Sequence, residues 1–311
     1  MKIMFMGTPE ISAICLKRLV DDGHNVVAVV TGEDKVRGRG NNLTPTPTKA
    51  VALEAGIPVY TPSTLRDGAF DGVLREVDPD LIAVVAYGKI LPESVIDYPR
   101  LGCYNLHVSL LPKYRGAAPM QRAIMEGEKE TGVTVMRMDA GLDTGDIVAA
   151  LAFPISPTDD FEAIHDRSAD LGSALLSGLL PKIERGEIER IKQDGSLATY
   201  AKKVERADCK IDFTLSAEKL DCIIRGTTPI PGAFTYQKGK MLKINKAAPV
   251  GGKGTPGEVI AVDGVGSGSF TVACGEGALR VTAVIPEGKG KMTAGDYIRG
   301  RKIALGDILG E

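Results

Sequence analysis

The stretch KIMFMGTPEISAICLKRLVDDGHNVVAVVT, Lys2–Thr31, contains two apolar runs separated by a helical pattern. Lys2–Met6 predicts a strand, Ser12–Asp22 an amphipathic helix that ends at Gly23, and Asn25–Thr31 a second strand rich in β-branched residues. A strand, a helix and a strand in close succession are typical of a βαβ unit. This opening therefore predicts an α/β fold.

The same alternation continues through the first half of the chain. Further strands are predicted at Val59–Tyr60, Leu81–Ala86, Cys103–Val108 and Gly132–Met138, and helices at Lys49–Gly56, Ala117–Gly127 and Glu162–Leu180. Near-continuous runs of valine, isoleucine and leucine are typical of parallel strands that are covered on both faces. We therefore predict a doubly wound, mostly parallel sheet domain over residues 1–185.

Beyond residue 205, glycine and proline separate short alternating runs around one helical pattern. These runs predict strands at Ala233–Gln237, Lys240–Ile244, Glu258–Val262, Ser269–Cys274 and Leu279–Ala283, with a helix at Leu215–Arg225. Their spacing indicates a smaller, OB-like β-barrel domain over residues 206–311. The charged stretch before it has no sustained apolar periodicity, so we predict a linker at residues 186–205.

Composition excludes several classes of protein. A chain of 311 residues with 43% hydrophobic side chains is long and apolar enough for two folded domains. No apolar run reaches the ~18 residues that cross a bilayer, and the N-terminal apolar stretch is too short for a signal peptide. The 5 scattered cysteines contain no CxxC pair, and the 3 histidines are widely spaced. We therefore expect a cytoplasmic protein with no metal and no membrane partner.

The net charge of −2 hides an asymmetry between the two halves. Residues 206–311 hold 15 basic and 11 acidic side chains, whereas the rest of the chain is acidic. A basic domain on an acidic body suggests a polyanionic partner, although ordinary solubilising charge is the simpler explanation for a balance of this size.

The turn after the first strand, GTPE at Gly7–Glu10, does not match a dinucleotide-binding loop. Such a loop needs glycines that let the backbone approach a pyrophosphate, and Pro9 and Glu10 do not provide that approach. The turn therefore tells against a nicotinamide-dependent oxidoreductase. It either lines a site at the carboxyl edge of the sheet or simply joins a strand to a helix.

The tract NLHVSLLP at Asn105–Pro112 is the most informative part of the chain. Alternate strand residues face the same way, so Asn105, His107 and Ser109 are predicted to project together. Three polar groups on an interior strand are costly unless they open into a site. An amide beside an imidazole suits a reaction that develops an oxyanion and moves a proton. A simple hydrogen-bonded histidine on an edge strand is the structural alternative.

The run DAGLDTGD, from residue 139 to residue 146, offers three carboxylates near the end of a predicted strand. It is not a calcium loop, because the required glycine is missing and Ala150 stands at the twelfth position. A carboxylate beside an imidazole raises its basicity and fixes its tautomer. The residues alone do not choose among Asp139, Asp143 and Asp146, and the others would cap turns.

These motifs resemble the methionyl-tRNA formyltransferase family. The resemblance rests on NLHVSLLPKYRG, AAPMQ and TGVTVMRMDAGLDTGDI, and it extends to FMGTPE, GRGNNLTPTPTK, VVAYGKILP, TYAKK and IRGTTPIPGAF, so that it covers nearly the whole chain. The Asn-x-His motif with SLLP is shared by folate-dependent formyltransferases generally, whereas the glycine- and proline-rich loop with LDTGD is specific to the tRNA enzyme. Two positions depart from the pattern: Val108 replaces a glycine or alanine, and Ile230 a tryptophan.

The resemblance implies a reaction and a set of residues. The formyl donor would be 10-formyltetrahydrofolate, and the acceptor the α-amino group of methionine on initiator tRNA. Asn105, His107 and Asp143 would be catalytic, with Asp143 paired to His107. The implied folate contacts are Ser109, Leu110, Leu111, Pro112, Tyr87, Gly88 and Ile90. No metal is implied.

The resemblance also implies where tRNA binds. Arg37 and Arg39 lie in the loop that would enter the acceptor stem, and Arg39 matches the tRNA-reading arginine. Lys240 and Lys243, which lie beside a predicted hairpin, would contact the phosphate backbone, although lysines on a strand could equally form a solvated face. We expect a monomer.

Two other functions remain open at this point. A nucleotide-sugar N-formyltransferase would have a similar architecture, but the basic Arg37–Arg39 loop speaks against it. A non-catalytic RNA-binding protein would not need Asn105, His107 and Asp143 together.

Overall fold

The computed structural model describes residues 1–37, 42–66, 68–264, 268–300 and 302–310, with residues 36, 37, 42 and 69 described through their backbone only. The helices are α1 Glu10–Asp21, α2 Pro47–Glu54, α3 Ala69–Val77, α4 Glu93–Ile96, α5 Pro119–Met125, α6 Phe161–Glu184, α7 Ala217–Thr227 and α8 Ala294–Arg299. The strands are β1 Ile3–Gly7, β2 Val26–Val30, β3 Lys35–Arg37, β4 Asn42–Thr44, β5 Val59–Tyr60, β6 Leu81–Val85, β7 Cys103–His107, β8 Arg115–Gly116, β9 Glu130–Arg137, β10 Ile147–Pro154, β11 Tyr200–Ala201, β12 Phe234–Gln237, β13 Lys240–Val250, β14 Val259–Asp263, β15 Ser269–Ala273, β16 Ala278–Pro286 and β17 Met292–Thr293.

The first compact unit comprises residues 1–119, 130–153 and 165–201. It is built on a seven-stranded sheet in the order β10-β9-β7-β6-β1-β2-β5. β1 pairs in parallel with β2 and β6, β6 pairs in parallel with β7, and β9 is antiparallel to β7. The predicted mostly parallel, doubly wound sheet is confirmed.

Both faces of this sheet are covered by helices. Met4 and Ile82 share a buried cluster with Phe70 and Leu74 of α3 on one face. On the other face, α6 approaches β7 so closely that a Cβ at Gly172 would lie 2.9 Å from the Leu106 side chain. α3 was not among the predicted helices, although Phe70, Val73, Leu74 and Val77 recur at helical spacing and Gly72 lies on the exposed face. Burial of its two large side chains stabilises this helix despite the glycine.

The second compact unit comprises residues 120–129, 154–164 and 202–311. Its strands pair in the antiparallel order β12-β13-β16-β15-β14, and β17 pairs with β16. The last described residues join the two edges of the sheet: the Leu309 amide donates to the Gly257 carbonyl beside β14, and the Gly310 amide donates to Tyr236 of β12, both at 2.8 Å. The predicted antiparallel β domain is therefore confirmed, with edges joined as in a small barrel.

The division between the two units does not follow a single point in the chain. Residues 186–201, predicted as part of a linker, lie in the first unit, where Tyr200 pairs with Arg115 in a short parallel ladder. Residues 120–129 lie in the second unit, where Met125 packs in the same core as Leu220 and Ile224. Sequence periodicity reports local patterns, so it does not reveal which core a short apolar segment joins.

Candidate active site

The site lies at the carboxyl ends of the central parallel strands of the first unit. β1 lies between β2 and β6, so the order of the strands reverses there and leaves a crevice at their carboxyl ends. The Thr8 hydroxyl donates to the Tyr87 carbonyl at 3.0 Å and accepts from the Gly32 amide at 3.2 Å, which links the loops after β1, β2 and β6. Gly7 is required by close packing, since a Cβ there would lie 2.8 Å from the Val85 carbonyl oxygen.

Asn105 and His107 occupy alternate positions of β7, and so lie on the same face. Asn105 is in register with Val84 of β6, whereas Leu106 lies on the opposite face against α6. Ser109, however, lies beyond the end of β7, and its hydroxyl donates to the Lys113 carbonyl at 2.7 Å. The predicted row of three polar side chains is therefore a row of two.

The ring of His107 is buried, and each of its nitrogens faces a different group. Nε2 lies 2.9 Å from the carbonyl oxygen of Tyr114, which can only accept a hydrogen bond, so this nitrogen carries the hydrogen. Nδ1 lies 3.7 Å from Oδ2 of Asp143, beyond hydrogen-bonding distance. In the neutral ring, Nδ1 is therefore the unprotonated nitrogen, and it faces the Asp143 carboxylate.

Burial lowers the pKa of His107 below its ordinary value, because the charged imidazolium loses its hydration. The Asp143 carboxylate and the Tyr114 carbonyl oppose that shift, since both stabilise the charged ring. The net direction leaves His107 neutral at pH 7, and so able to accept a proton.

Asp143 is the carboxylate that the fold brings to His107. Its Oδ2 accepts a hydrogen bond of 2.7 Å from the amide of Gly116 in β8. Its backbone is in the left-handed region, with φ of 53°, which is uncommon for a residue other than glycine. The carboxylate is thus held in a defined position by its own turn and by β8.

The other two carboxylates of this run have different partners. Oδ1 of Asp139 accepts from the Gly141 amide at 3.0 Å and from the Thr144 hydroxyl at 2.6 Å, which makes it a turn-capping residue. Asp146 contributes its backbone carbonyl, which accepts from the Arg137 amide at 2.9 Å. The geometry distinguishes the three aspartates where the residues alone did not.

Sequence reasoning missed Gln193. Its Nε2 donates to the carbonyls of Asp143 and Gly145 at 2.9 and 2.7 Å, and its Oε1 accepts from the Arg115 guanidinium at 2.7 Å. Gln193 lies in a charged stretch without apolar periodicity, so no local pattern marks it. The only nearby signal is the TYAKK motif, whose Thr199 hydroxyl accepts from the Tyr114 amide at 2.8 Å.

The residues predicted to contact folate lie at the carboxyl edge of the sheet, because they directly follow the neighbouring parallel strands β6 and β7. Leu111 is buried and its amide donates to the Thr134 hydroxyl at 3.2 Å, while Leu110 and Pro112 are half-buried. Tyr87 is buried in the sheet core, Gly88 adopts a positive φ of 83°, and the Ile90 side chain is 72% exposed. Burial raises the pKa of Tyr87 to about 12, so its hydroxyl stays neutral.

The predicted tRNA contacts lie in two places. Arg39 lies outside the described residues, and Arg37 is described through its backbone in β3 only. Lys240 is exposed at the start of β13, whereas Lys243 is half-buried and its Nζ donates to the Pro231 carbonyl at 2.7 Å. The ammonium group of Lys240 is therefore more accessible to a phosphate than that of Lys243.

Within the described ranges, histidine, cysteine, aspartate and glutamate form no group of three or more that could hold a metal ion. No helix in the described part of the chain has both the length and the apolar character needed to cross a membrane.

Comparison with known proteins identifies relatives along the whole chain. The model of the formyl transferase family matches residues 1–180, and that of the formyl transferase C-terminal domain matches residues 203–302. The methionyl-tRNA formyltransferase of Geotalea uraniireducens is 44% identical over 311 residues, covering 100% of this chain and 98% of that protein. The methionyl-tRNA formyltransferase of Lachnospira eligens is 44% identical over 318 residues, covering 100% of both.

Solved structures share the fold at lower identity. The N-formyltransferase from Helicobacter canadensis, in complex with folinic acid and dTDP-3-aminofucose, has a TM-score of 0.66 and 19% identity, covering 90% of this chain and 98% of that one. At this identity the likeness concerns the fold alone.

Proposed function

The chain belongs to the methionyl-tRNA formyltransferase family, and on that premise we propose that its site joins the formyl group of 10-formyltetrahydrofolate to the α-amino group of methionine on initiator methionyl-tRNA. The product is N-formylmethionyl-tRNA, which initiates translation. The observation that carries this proposal is that the Asp143 carboxylate faces His107, which lies on the strand that also bears Asn105. The enzyme acts in the cytoplasm as a monomer, and no metal takes part.

The reaction needs a neutral amine and a route for one proton from that amine to N10 of the folate. Free α-amino groups titrate near ~7.7 to 8, so part of the amine is already neutral at pH 7 to 8 and can attack the formyl carbon. The attack leaves a positively charged nitrogen, which must then lose one proton. Nδ1 of His107 accepts this proton, directly or through water, since Nε2 is occupied by the Tyr114 carbonyl. The nearby Asp143 carboxylate stabilises the imidazolium that results.

The developing oxyanion is stabilised by the Asn105 amide and by the positive charge of the protonated His107 ring. Cleavage of the bond between the formyl carbon and N10 of the folate completes the transfer, and the imidazolium returns its proton to N10. His107 is thus base and then acid, and the ring ends in its starting state.

The folate substrate supplies the formyl carbon and binds beside the ends of β6 and β7. The exposed Ile90 side chain and the open backbone at Gly88 suit a flat, partly apolar ring system. Ser109, Leu110, Leu111 and Pro112 lie on the neighbouring segment, where we assign them to the same pocket.

We expect the pH dependence of the chemical step to follow two groups, the attacking amine and His107. Burial lowers the pKa of His107 below the ordinary value of ~6.5, so the ring stays neutral as pH falls from 8 to 6.5 and becomes charged only below that range. The amine titrates near ~7.7 to 8, so the single-turnover rate at saturating substrates should fall by up to about tenfold from pH 7.5 to 6.5, and more steeply below pH 6.5. A fall well beyond tenfold between pH 7.5 and 6.5 would mean that Asp143 raises the pKa of His107 more than burial lowers it.

The second unit, with its excess of basic side chains, binds the tRNA backbone, and the loop with Arg37 and Arg39 reads the acceptor stem. Binding to phosphates releases counterions, so log K for tRNA should fall linearly with log salt. Replacing the exposed Lys240 with glutamine should flatten that slope by about one unit and leave the preference for initiator tRNA unchanged.

Lys243→Gln is the matched control for Lys240, because its ammonium donates to the Pro231 carbonyl and is half-buried. We expect it to change the slope by less than Lys240→Gln does. Equal slopes in wild type and Lys240→Gln would show that Lys240 does not contact a phosphate.

The deciding experiment compares acceptors in the presence of 10-formyltetrahydrofolate. Methionyl initiator tRNA should be formylated much faster than methionyl elongator tRNA, and a nucleotide-linked amino sugar should not be formylated. Formylation of the sugar alone would assign the protein to the sugar-modifying enzymes. Binding of initiator tRNA without any formyl transfer would indicate a non-catalytic RNA-binding protein.

A further inference from the structure

The side-chain amide of Gln193 uses its full hydrogen-bonding capacity. Nε2 donates to the carbonyls of Asp143 and Gly145, and Oε1 accepts from Nε and Nη2 of Arg115 at 3.2 and 2.7 Å. A primary amide has two donors and two acceptor sites, so all four are engaged. Only one orientation of the amide satisfies these partners, because carbonyls stand on one side and a guanidinium on the other.

The turn that Gln193 holds has little freedom of its own. Asp143 adopts a positive φ of 53°, and a Cβ at Gly145 would lie 1.8 Å from the Arg137 carbonyl oxygen. A non-glycine residue in the left-handed region persists only where its surroundings fix it. Gln193 donates to the carbonyls on both sides of residue 144, and these two hydrogen bonds help to fix Asp143 in that conformation.

The other partner of Gln193 belongs to the segment that positions His107. Arg115 is only 5% exposed, and its guanidinium needs polar partners at that depth. The Tyr114 carbonyl just before it holds Nε2 of His107, and the Gly116 amide just after it donates to the Asp143 carboxylate. Gln193 therefore connects the two backbone segments that orient the two members of the pair.

We propose that Gln193 is a positioning residue, which sets the distance and orientation of the Asp143 carboxylate relative to His107 by tying the turn at residues 143–145 to Arg115. This inference rests on the proposed function, because it assigns Gln193 to the reaction that Asp143 and His107 perform. The amide of Gln193 is fully engaged by Asp143, Gly145 and Arg115, so it acts through these partners and not as a catalytic group.

The test uses the full-length protein with Gln193→Met, which keeps the length of the side chain and removes all four hydrogen bonds. We expect kcat to fall by about 10- to 100-fold, the scale of a displacement of roughly 1 Å at a catalytic group. The KM values for folate and tRNA should change by less than about threefold, since a positioning residue acts mainly in the transition state.

Gln193→Glu distinguishes the role of the amide donors, which bind the turn, from the role of the amide oxygen, which binds Arg115. A carboxylate still accepts from Arg115, but it donates to neither carbonyl of the turn. We therefore expect it to lose as much kcat as Gln193→Met does. Wild-type kcat in Gln193→Glu would overturn the proposal, because the donors to the turn would then be dispensable.

A readout without substrates keeps the inference independent of the proposed function. The chain has 3 histidines, so the ring signals of His107 can be assigned by NMR from their loss in His107→Ala. Asp143 is the charged group that raises the pKa of His107, so its displacement in Gln193→Met should move the titration of His107 to lower pH. An unchanged titration would overturn the proposal, even if formylation of methionyl-tRNA were absent in the wild type.

The matched control is Gln237→Met in the second unit. Gln237 is also a buried glutamine, and its Nε2 donates to the Lys302 carbonyl. The Gln237→Met variant should have a lower melting temperature than the wild type and an unchanged titration of His107. If Gln193→Met lowered the melting temperature in the same way, with both kcat and the titration unchanged, Gln193 would be a structural residue only.

Discussion

Asn105→Ala should lower kcat by roughly 10² to 10³, the scale of one lost oxyanion donor, or about 2.7 to 4 kcal/mol. His107→Ala should cause a loss of the same order, because it removes the group that takes the proton at Nδ1. Affinity for both substrates should change little, since these contacts form mainly in the transition state. Single-turnover rates and equilibrium binding measured on the same preparations would check both statements.

The control for this prediction is Tyr104→Phe on the same strand. Tyr104 precedes Asn105 and lies on the other face of β7, so loss of its hydroxyl should leave kcat close to the wild-type value. Near-normal turnover in either Asn105→Ala or His107→Ala would remove that residue from the catalytic group.

Asp143→Asn should lower kcat by a similar factor, roughly 10² to 10³, because a neutral amide does not stabilise the imidazolium that forms at His107. The amide oxygen can still accept from the Gly116 amide, so the turn should keep its position. Rates should be compared at the pH optimum of each variant, since loss of the carboxylate also lowers the pKa of His107.

Two nearby carboxylates provide the comparison for Asp143. Asp139→Asn should be mild, because an amide oxygen can still accept from the Gly141 amide and the Thr144 hydroxyl. Asp146→Asn should also be mild, because the contact of Asp146 with Arg137 is made by its backbone. If Asp139→Asn or Asp146→Asn were more damaging than Asp143→Asn, the catalytic role would move to that residue.

Residue patterns predicted most of the sheet because its strands are local runs with a simple period. The shared face of Asn105 and His107 follows from alternation within β7, and it needs no knowledge of the rest of the chain. The choice of Asp143 over its two neighbours was different. It depends on which carboxylate meets the amide of Gly116, and only a family resemblance suggested it before the structure was known.

The features that were not predicted depend on contacts between distant parts of the chain. Gln193 is separated from Asp143 by 50 positions in the sequence, and the hydrogen bond of its side-chain amide to the Asp143 carbonyl has no counterpart in any periodic pattern of residues. Ser109 was expected to extend the polar row, but β7 ends at His107 and the chain turns, so the alternation no longer applies. Local patterns carry no information about either event.

The interleaving of the two units has a consequence for synthesis on the ribosome. Met125 belongs to a core whose other buried members lie between Ile211 and Leu309, so about 86 residues must be added before the first of them is made. At ~5 to 20 residues per second, this leaves the segment without its final neighbours for at least about 4 to 17 s. During that interval, the nascent chain exposes an apolar segment that a chaperone could bind.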